Sequence, residues 1–167
     1  MKEDVYVSLG TNLGDRAAQL GQALRALDAL PATRLAAFSP VFETDPVGPP
    51  PQGAYLNAVV HLRTELEPHA LLDGMLAIER RAGRTRSGER NAARRLDLDV
   101  LLYGARVIDS PGLRIPHPRL AQRPFVLEPL AVLVPELRHP ELGATIEELA
   151  ARVRDPRAVR RWQGVLG

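Results

Sequence analysis

Cysteine is absent from this 167-residue sequence. Disulfide bridges, thiol nucleophiles and zinc sites built on cysteine are therefore excluded. Lysine is almost absent as well, since Lys2 is the one lysine beside many arginines. A phosphate-binding loop that depends on lysine, or a lysine Schiff base, is thus not expected. Any phosphate group that binds here must be held by guanidinium groups, which contact phosphate oxygens in pairs, or by a metal ion.

Aromatic residues and long apolar runs are scarce too. Aromatic residues make up 4% of the sequence, which argues against a surface that binds RNA by stacking bases on aromatic rings. No apolar stretch reaches the length that crosses a bilayer, and the acidic N-terminal segment MKEDVYVSLG is unlike a signal peptide. We therefore expect a cytoplasmic chain, and its length predicts a single domain over residues 1–167.

The positive charge is concentrated in one segment. The net charge is only +2, yet seven arginines and two glutamates lie between residues 79 and 95. A segment of this composition is typical of a solvated loop, of an RNA-binding surface or of a phosphate clamp.

Hydrophobic periodicity predicts the elements of the fold. The sequence predicts strands over residues 4–10, 34–44, 55–64 and 94–104, and helices over residues 17–30 and 68–83. A short strand near Val107 and Ile108, turns and short helices over 115–133, and a helix that begins with the capping box of Thr145 and Glu148 complete the pattern. This order predicts an α+β fold, a ferredoxin-like β-α-β-β-α-β antiparallel sheet flanked by helices, with added C-terminal helices.

Two aspartates, Asp97 and Asp99, interrupt the apolar strand RRLDLDVLLYG. Aspartate is disfavoured in strands and unfavourable to bury, so the pair needs an explanation. Side chains alternate between the faces of a strand, which places both carboxylates on one face, with Cα atoms roughly 7 Å apart. Leu101 and Tyr103 are predicted on that same face, and the predicted core-facing set is Leu96, Leu98, Val100 and Leu102. Two such carboxylates can bind one metal ion or a close pair, and their hard oxygens favour Mg²⁺ over zinc.

The residues alone leave other interpretations open. The two acids are also compatible with a solvent-facing strand paired with neighbouring arginines. The arginine-rich loop leads directly into the pair, which favours a metal and phosphate site. Two rival functions nevertheless remain: another Mg-dependent nucleotidyl transfer enzyme, and a non-catalytic RNA-binding module that uses the loop.

Several motifs together resemble one known family. They are VSLGTNLGDR, ETDPVGPPPQGAYLNAVV, ERRAGRTR, RRLDLDVLLYG and IPHPRLAQRPFVLEPL, and they cover most of the chain up to residue 140 or so. The most specific feature is an R-x-L-D-L-D strand followed by P-H-P and R-x-F. On these residues the sequence resembles the 6-hydroxymethyl-7,8-dihydropterin pyrophosphokinases of folate biosynthesis. The resemblance implies transfer of pyrophosphate from ATP to the hydroxymethyl group of the pterin, with release of AMP.

The resemblance also implies roles for individual residues. Asp97 and Asp99 would hold two Mg²⁺ ions that bridge the ATP phosphates and the attacking hydroxymethyl oxygen. Arg84 and Arg94 would neutralise the charge that develops on the phosphates. The implied ATP-binding set is Glu79, Arg84, Arg94, His117 and Arg123, with Arg86 as a weaker candidate. The implied pterin-binding set is Thr44, Val47, Tyr55, Asn57 and Phe125.

Within that second set the implied chemistry is specific. Tyr55 and Phe125 would stack on the two faces of the pterin, and the Asn57 amide would meet its amino-pyrimidinone edge by both donating and accepting hydrogen bonds. The partners implied are the small molecules ATP and the pterin, with no nucleic acid and no membrane, and we expect a monomer.

The sequence departs from the family pattern at a few positions. Residues 91–93, Asn-Ala-Ala, stand where Trp-Gly-Pro is common, so a tryptophan contact of the loop is missing. Asp45 stands where proline is frequent. Arg114 stands where a hydroxyl residue is often found, and Gly112 where an arginine can occur. The matching N-terminal residues 10–12 are interpreted mainly as turn and cap structure.

Overall fold

A computed structural model of the chain describes residues 2–12, 14–45, 54–83, 96–164 and 166. Within these ranges the strands are β1 (Glu3–Thr11), β2 (Thr33–Phe38), β3 (Phe42–Thr44), β4 (Tyr55–Thr64), β5 (Asp97–Tyr103), β6 (Ile108–Ser110), β7 (Leu113–Ile115) and β8 (Val159–Arg161). The helices are α1 (Arg16–Asp28), α2 (Pro68–Gly83), α3 (Pro124–Leu133) and α4 (Ile146–Val153), with a 3-10 turn at Leu120–Gln122. No helix in the described part of the chain is both long and apolar enough to span a membrane.

The main sheet has the strand order β5-β1-β4-β3-β8, and every pair in it is antiparallel. Strands β2 and β3 pair with successive stretches of β4. The prediction of one strand over residues 34–44 was therefore wrong at Pro40, which has no N–H to donate to a ladder. Ser39 spans the interruption: its N–H donates to the Val59 carbonyl at 2.8 Å, and its hydroxyl accepts from the Val59 N–H at 2.9 Å.

Apolar clusters cover both faces of this sheet. Helices α1 and α2 pack on one face, in a cluster that includes Val7, Leu27, Leu56 and Met75. Helices α3 and α4 pack on the other face, in a cluster that includes Tyr6, Val59, Leu127 and Leu149. Each such side chain contributes roughly 1.5–3 kcal/mol when it is fully buried. The core is thus divided by the sheet into two layers.

Strand β5 contains an irregularity that the sequence did not predict. Val7 pairs with Val100 and Tyr6 pairs with Leu102, so Leu101 is an extra residue opposite the β1 strand. Leu101 and Leu102 both pack with α3 and α4, whereas Tyr103 packs with α1 and α2. The predicted alternation is correct for Leu96, Leu98, Val100 and Leu101 and wrong for Leu102 and Tyr103, because the bulge at Leu101 reverses the faces beyond it. Asp97 and Asp99 precede the bulge and lie on the α3 side.

The helix boundaries largely follow their capping residues. The Asp15 carboxylate accepts from the Ala18 N–H at 3.1 Å and begins α1. The capping box of Thr145 and Glu148 is present at the start of α4, and α2 ends at Gly83, as predicted. Residues 10 and 11, in contrast, belong to β1 and not to a turn.

Two elements differ from the sequence prediction. The short strand expected near Val107 and Ile108 is a hairpin of β6 and β7, in which Gly112 has a φ of 80°. This left-handed conformation closes the turn after Pro111 and favours glycine. Strand β8 was not predicted, because its three residues carry no pattern of their own.

Candidate active site

The two aspartates lie at the start of β5, which α2 holds in place. A Glu79 carboxylate oxygen accepts a hydrogen bond from the Leu98 N–H at 2.7 Å. Leu98 is the residue between Asp97 and Asp99, so this contact fixes the backbone that carries both carboxylates. Glu79 was predicted to bind ATP; the structure gives it a contact with β5, and the ATP role stays a prediction.

A cavity of about 250 Å³ opens on the α3 side of the sheet, above the ends of β1, β3, β4 and β5. Its lining residues are Ser8, Leu9, Gly10, Thr44, Asp45, Tyr55, Asn57, Asp97, Asp99, Arg123, Phe125 and Val126. Four of the five residues predicted to bind the pterin, Thr44, Tyr55, Asn57 and Phe125, line this cavity together with the two aspartates. We call it the smaller cavity.

The polar floor of the smaller cavity has a fixed orientation. Asn57 is buried, and its Nδ2 donates to the Thr44 hydroxyl at 2.8 Å. A Cβ placed on Gly10 would lie 3.0 Å from the Asn57 Oδ1, so a side chain there would press on the amide. Gly10 is therefore a further candidate site position, which the sequence interpretation took as turn and cap structure. The available signal was a glycine inside a strand, which often marks a close approach.

A second cavity, of about 630 Å³, lies beside β5 between α2 and the hairpin of β6 and β7. We call it the larger cavity. Its lining residues are Leu72, Leu98, Asp99, Val100, Asp109, Ser110, Pro111, Gly112, Leu113, Arg114, His117 and Pro118. Asp99 thus lines both cavities and forms part of the wall between them.

His117 faces the larger cavity with a defined donor. Its Nδ1 accepts from the Arg119 N–H at 3.1 Å, which leaves the proton of the neutral ring on Nε2. Burial lowers the pKa of His117 below its ordinary value of 6.5, and the positive charges of Arg123 and Arg119 lower this pKa further, while Asp99 opposes them. The neutral ring can therefore donate one hydrogen bond into the cavity.

Two arginines contribute charge near this wall. The Arg123 NH1 lies 4.0 Å from the Asp99 Oδ2, and its guanidinium carbon lies 5.6 Å from the centre of the Phe125 ring. Arg123 therefore connects Asp99 to the aromatic side of the smaller cavity. Arg114 pairs with Asp109 across the hairpin, with Nε 3.1 Å from Oδ1, and both side chains line the larger cavity.

Several predicted residues lie outside the described part of the chain. They are Val47 of the predicted pterin set, and Arg84, Arg86 and Arg94 of the arginine-rich loop. The Asn-Ala-Ala segment at residues 91–93 lies outside it as well.

The donor set of the two aspartates suits one kind of metal site. Among the residues that the structure describes, no group of three or more His, Asp or Glu side chains could enclose a metal ion. Asp97 and Asp99 supply hard carboxylate oxygens in the wall of a cavity. Mg²⁺ is commonly bound by one or two carboxylates, with water and substrate phosphates as its other ligands. The site fits Mg²⁺ that arrives with a phosphate substrate, and it does not fit a closed structural metal site.

Comparisons with known proteins show to which family the chain is similar. The model of the family described as 7,8-dihydro-6-hydroxymethylpterin-pyrophosphokinase (HPPK) matches residues 6–135. A 2-amino-4-hydroxy-6-hydroxymethyldihydropteridine pyrophosphokinase of Pseudomonas aeruginosa is 46% identical over 151 residues, which are 90% of this chain and 92% of that protein. The protein of the same name from Bacillus subtilis is 38% identical over 153 residues, 92% of this chain and 91% of that protein.

The fold has relatives among solved structures. A crystal structure of Plasmodium falciparum HPPK-DHPS matches with a TM-score of 0.76 and 15% sequence identity. The match covers 96% of this chain and 49% of that chain, so this chain spans about half the length of the solved one. At this identity the likeness supports the fold. The sequence relatives decide the family: the chain belongs to the HPPK family, the ATP-dependent pyrophosphokinases that transfer pyrophosphate to 6-hydroxymethyl-7,8-dihydropterin in folate biosynthesis.

Proposed function

We propose that the chain transfers pyrophosphate with the pterin bound in the smaller cavity and ATP bound in the larger one. The observation that carries this proposal is the position of Asp99, which lines both cavities. Two substrates that meet at one carboxylate can be brought into reacting distance, and such proximity supplies much of the rate enhancement in phosphoryl transfer.

The smaller cavity suits a flat ring with a polar edge. Tyr55 and Phe125 offer aromatic surfaces for stacking on a pterin. The Asn57 amide both donates and accepts, and the Thr44 hydroxyl that accepts from it can donate its own proton. These groups match the alternating donors and acceptors of an amino-pyrimidinone edge. Val47, from the same predicted set, belongs to this proposal through the resemblance alone.

Asp97 and Asp99 are the proposed ligands of two Mg²⁺ ions. When bound there, Mg²⁺ supplies charge neutralisation for the phosphates and lowers the pKa of the attacking hydroxyl. The apolar opposite face of β5, with Leu98 and Val100 in the core, keeps the two carboxylates in a fixed geometry.

The remaining residues act on the phosphates. The hydroxymethyl oxygen of the pterin attacks the β-phosphorus of ATP, the bond from that phosphorus to the α-phosphate oxygen breaks, and AMP leaves. His117 donates from Nε2 to a phosphate oxygen, and Arg123 adds positive charge near Asp99. Arg84 and Arg94 neutralise charge in the transition state, and Glu79 holds β5 and contributes to the ATP site.

A crossed kinetic experiment tests the assignment of the two cavities. Asn57→Leu is expected to raise the KM for the pterin at least tenfold, since it removes the polar contact at one edge, and to leave the KM for ATP near the wild-type value. His117→Ala is expected to raise the KM for ATP and not that for the pterin. An exchanged pattern, or equal effects on both substrates, would overturn the assignment.

The two rival functions that the residues alone left open lose their support. Family membership favours neither another Mg-dependent nucleotidyl transfer enzyme nor a non-catalytic RNA-binding module. We further propose that the fold is ferredoxin-like, since the strand order β5-β1-β4-β3, with α1 and α2 on one face, supports that class. A monomeric single domain over residues 1–167 in the cytoplasm completes the proposal.

A further inference from the structure

A chain of charged side chains runs behind the strand end that forms one rim of the smaller cavity. The Arg16 NH1 lies 2.9 Å from the Glu43 Oε2, and the Glu43 Oε1 lies 4.0 Å from the Arg160 NH2. The same Arg160 NH2 lies 3.1 Å from the Asp45 Oδ1. We call these four residues the rim network. Arg16 belongs to α1, Glu43 to β3 and Arg160 to β8, and Asp45 directly follows β3.

Most of the rim network lies behind the cavity. Thr44 lines the cavity, and because side chains alternate along a strand, its neighbour Glu43 points to the opposite face. Glu43 is the register partner of Arg160 in the β3 and β8 pair. The Arg160 guanidinium is held further by its NH1, which donates to the Arg157 carbonyl at 2.6 Å. From this position Arg160 reaches Asp45, which lines the cavity itself.

The rim network also fixes the backbone on both sides of the rim. The Arg16 NH1 donates to the Ala54 carbonyl at 2.9 Å, directly before Tyr55. The Asp45 N–H donates to the Ala158 carbonyl at 3.2 Å, directly after Thr44. A proline at residue 45 could not make that second bond. Thr44 and Tyr55 are themselves register partners, so the network holds both strand ends that carry pterin-binding candidates.

We infer that β8 and the rim network position the pterin site, with Arg160 and Asp45 as positioning residues. This inference rests on the proposed function, because it takes the smaller cavity as the pterin site. The ion pairs are partly exposed, with side-chain exposures of 41% for Arg160 and 59% for Asp45. Such pairs add little to global stability, so their loss should change the geometry of the rim more than the stability of the fold.

The test measures pterin binding by fluorescence titration, in the presence of Mg²⁺ and a non-hydrolysable ATP analogue, together with steady-state kinetics. Arg160→Met is expected to raise the Kd and the KM for the pterin about fivefold, while kcat and the KM for ATP stay near wild type. Arg160→Lys is expected to restore part of the affinity. The matched control is Arg152→Met, which removes an exposed arginine from α4, outside the rim network, and is expected to change nothing.

A double-mutant cycle tests whether the two positioning residues act together. Asp45→Asn is expected to weaken pterin binding about as much as Arg160→Met, and the double variant no more than either one. Additive effects would overturn the coupling, and an unchanged pterin Kd in Arg160→Met would overturn the inference itself. If the affinities for ATP and for the pterin fell equally and the melting temperature fell as well, the network would have only a structural role. Wild-type protein that binds no pterin would overturn the proposed function, and this inference with it.

Discussion

Among the single residues that the structure describes, Asp99 has the most contacts with the proposed site. It lines both cavities, lies 4.0 Å from Arg123, and acts on the pKa of His117. Asp97 lines only the smaller of the two. A carboxylate in the dividing wall can act on both substrates, so we expect Asp99 to be the less tolerant of substitution.

The first prediction concerns both carboxylates. Asp97→Asn and Asp99→Asn should each lower kcat on the order of a thousandfold, because the amide is a much poorer Mg²⁺ ligand than the carboxylate. The melting temperature should change little, because both carboxylates are partly exposed and the amide keeps the shape of the side chain. The control is Asp73→Asn, an exposed aspartate on α2, which should behave as wild type. Near-normal turnover in both site variants would contradict the metal-ligand assignment.

The second prediction concerns Gly10. Gly10→Ala should raise the KM for the pterin several-fold, because the new methyl group would lie 3.0 Å from the Asn57 Oδ1 and turn the amide away. Thermal unfolding and the KM for ATP, measured on the same variant, should change little. A pterin KM equal to that of the wild type would mean that the amide adjusts freely.

At the residue scale, the sequence predicted which residues belong to the candidate site better than it predicted the contacts between them. Asn57, Tyr55 and Phe125 were predicted through the family motifs, and the structure brings them to one cavity. The Arg160–Asp45 pair joins residues 115 positions apart, and no local pattern indicates such a contact. Long-range pairs of this kind depend on the sheet register, which is set by the whole fold.

At the scale of elements, α2 and β5 form the support of the site. The Glu79 side chain binds the backbone of β5 at Leu98, at 2.7 Å. A buried N–H that loses its acceptor destabilises a protein by about 1–3 kcal/mol. The contact therefore links the stability of the strand to the position of the two aspartates.

The third prediction separates two roles of Glu79. Glu79→Ala should lower kcat and reduce the free energy of unfolding by about 1–2 kcal/mol, since the Leu98 N–H loses its partner. Glu79→Gln retains an acceptor oxygen and should keep both values near wild type. Denaturant titration and steady-state kinetics measure the two effects. A glutamine variant as inactive as the alanine variant would show that the charge of Glu79 acts directly at the ATP site.

The turn between α3 and α4 gives a fourth prediction, on pH. The buried His139 Nδ1 accepts from the N–H groups of Glu141 and Leu142, both at 3.1 Å, and burial lowers its pKa below the ordinary value of 6.5. The unfolded chain thus binds a proton more readily than the folded one. The stabilisation of the fold by the neutral His139 ring is present above pH 6.5. It is lost as the pH falls through the lower pKa that His139 has in the folded state.

The free energy of unfolding is measured as a function of pH, from about pH 7.5 to about pH 5. His139→Gln should flatten the decline towards acid pH. His69→Gln, on the exposed part of α2, serves as the control and should leave the decline in place. An identical decline in the His139 variant would show that other groups cause it.

Elements with a strong period or a cap were predictable, and short or irregular ones were not. Helix α4 was predicted from its capping box, and α2 from its apolar face and Gly83. The interruption at Pro40 was overlooked, although proline is a known signal against a continuous strand. The bulge at Leu101 leaves no trace in the sequence, because the residues around it are all apolar.

At the scale of the molecule, the two cavities lie on either side of the strand β5 that carries both aspartates. Helices α1 and α2 pack on one face, while α3 and α4 cover only part of the other. The smaller cavity opens beside α3 on that second face, and the larger cavity lies beside the edge strand β5. The fold therefore places both proposed substrate cavities next to the start of β5, with Asp99 between them.

The fold class follows from the order of predicted elements, whereas the reaction does not. A sheet with helices on its faces accommodates many chemistries, so the function depends on the site. Here the family match and the sequence relatives identify the reaction as pyrophosphoryl transfer.

The most direct measurement identifies the nucleotide that the purified protein releases from ATP in the presence of Mg²⁺ and 6-hydroxymethyl-7,8-dihydropterin. The account predicts AMP, formed only when the pterin is present and in equal amount to the pterin diphosphate, because attack at the β-phosphorus expels AMP. Release of ADP or free phosphate, or no AMP from folded protein with both substrates and Mg²⁺ supplied, would contradict it.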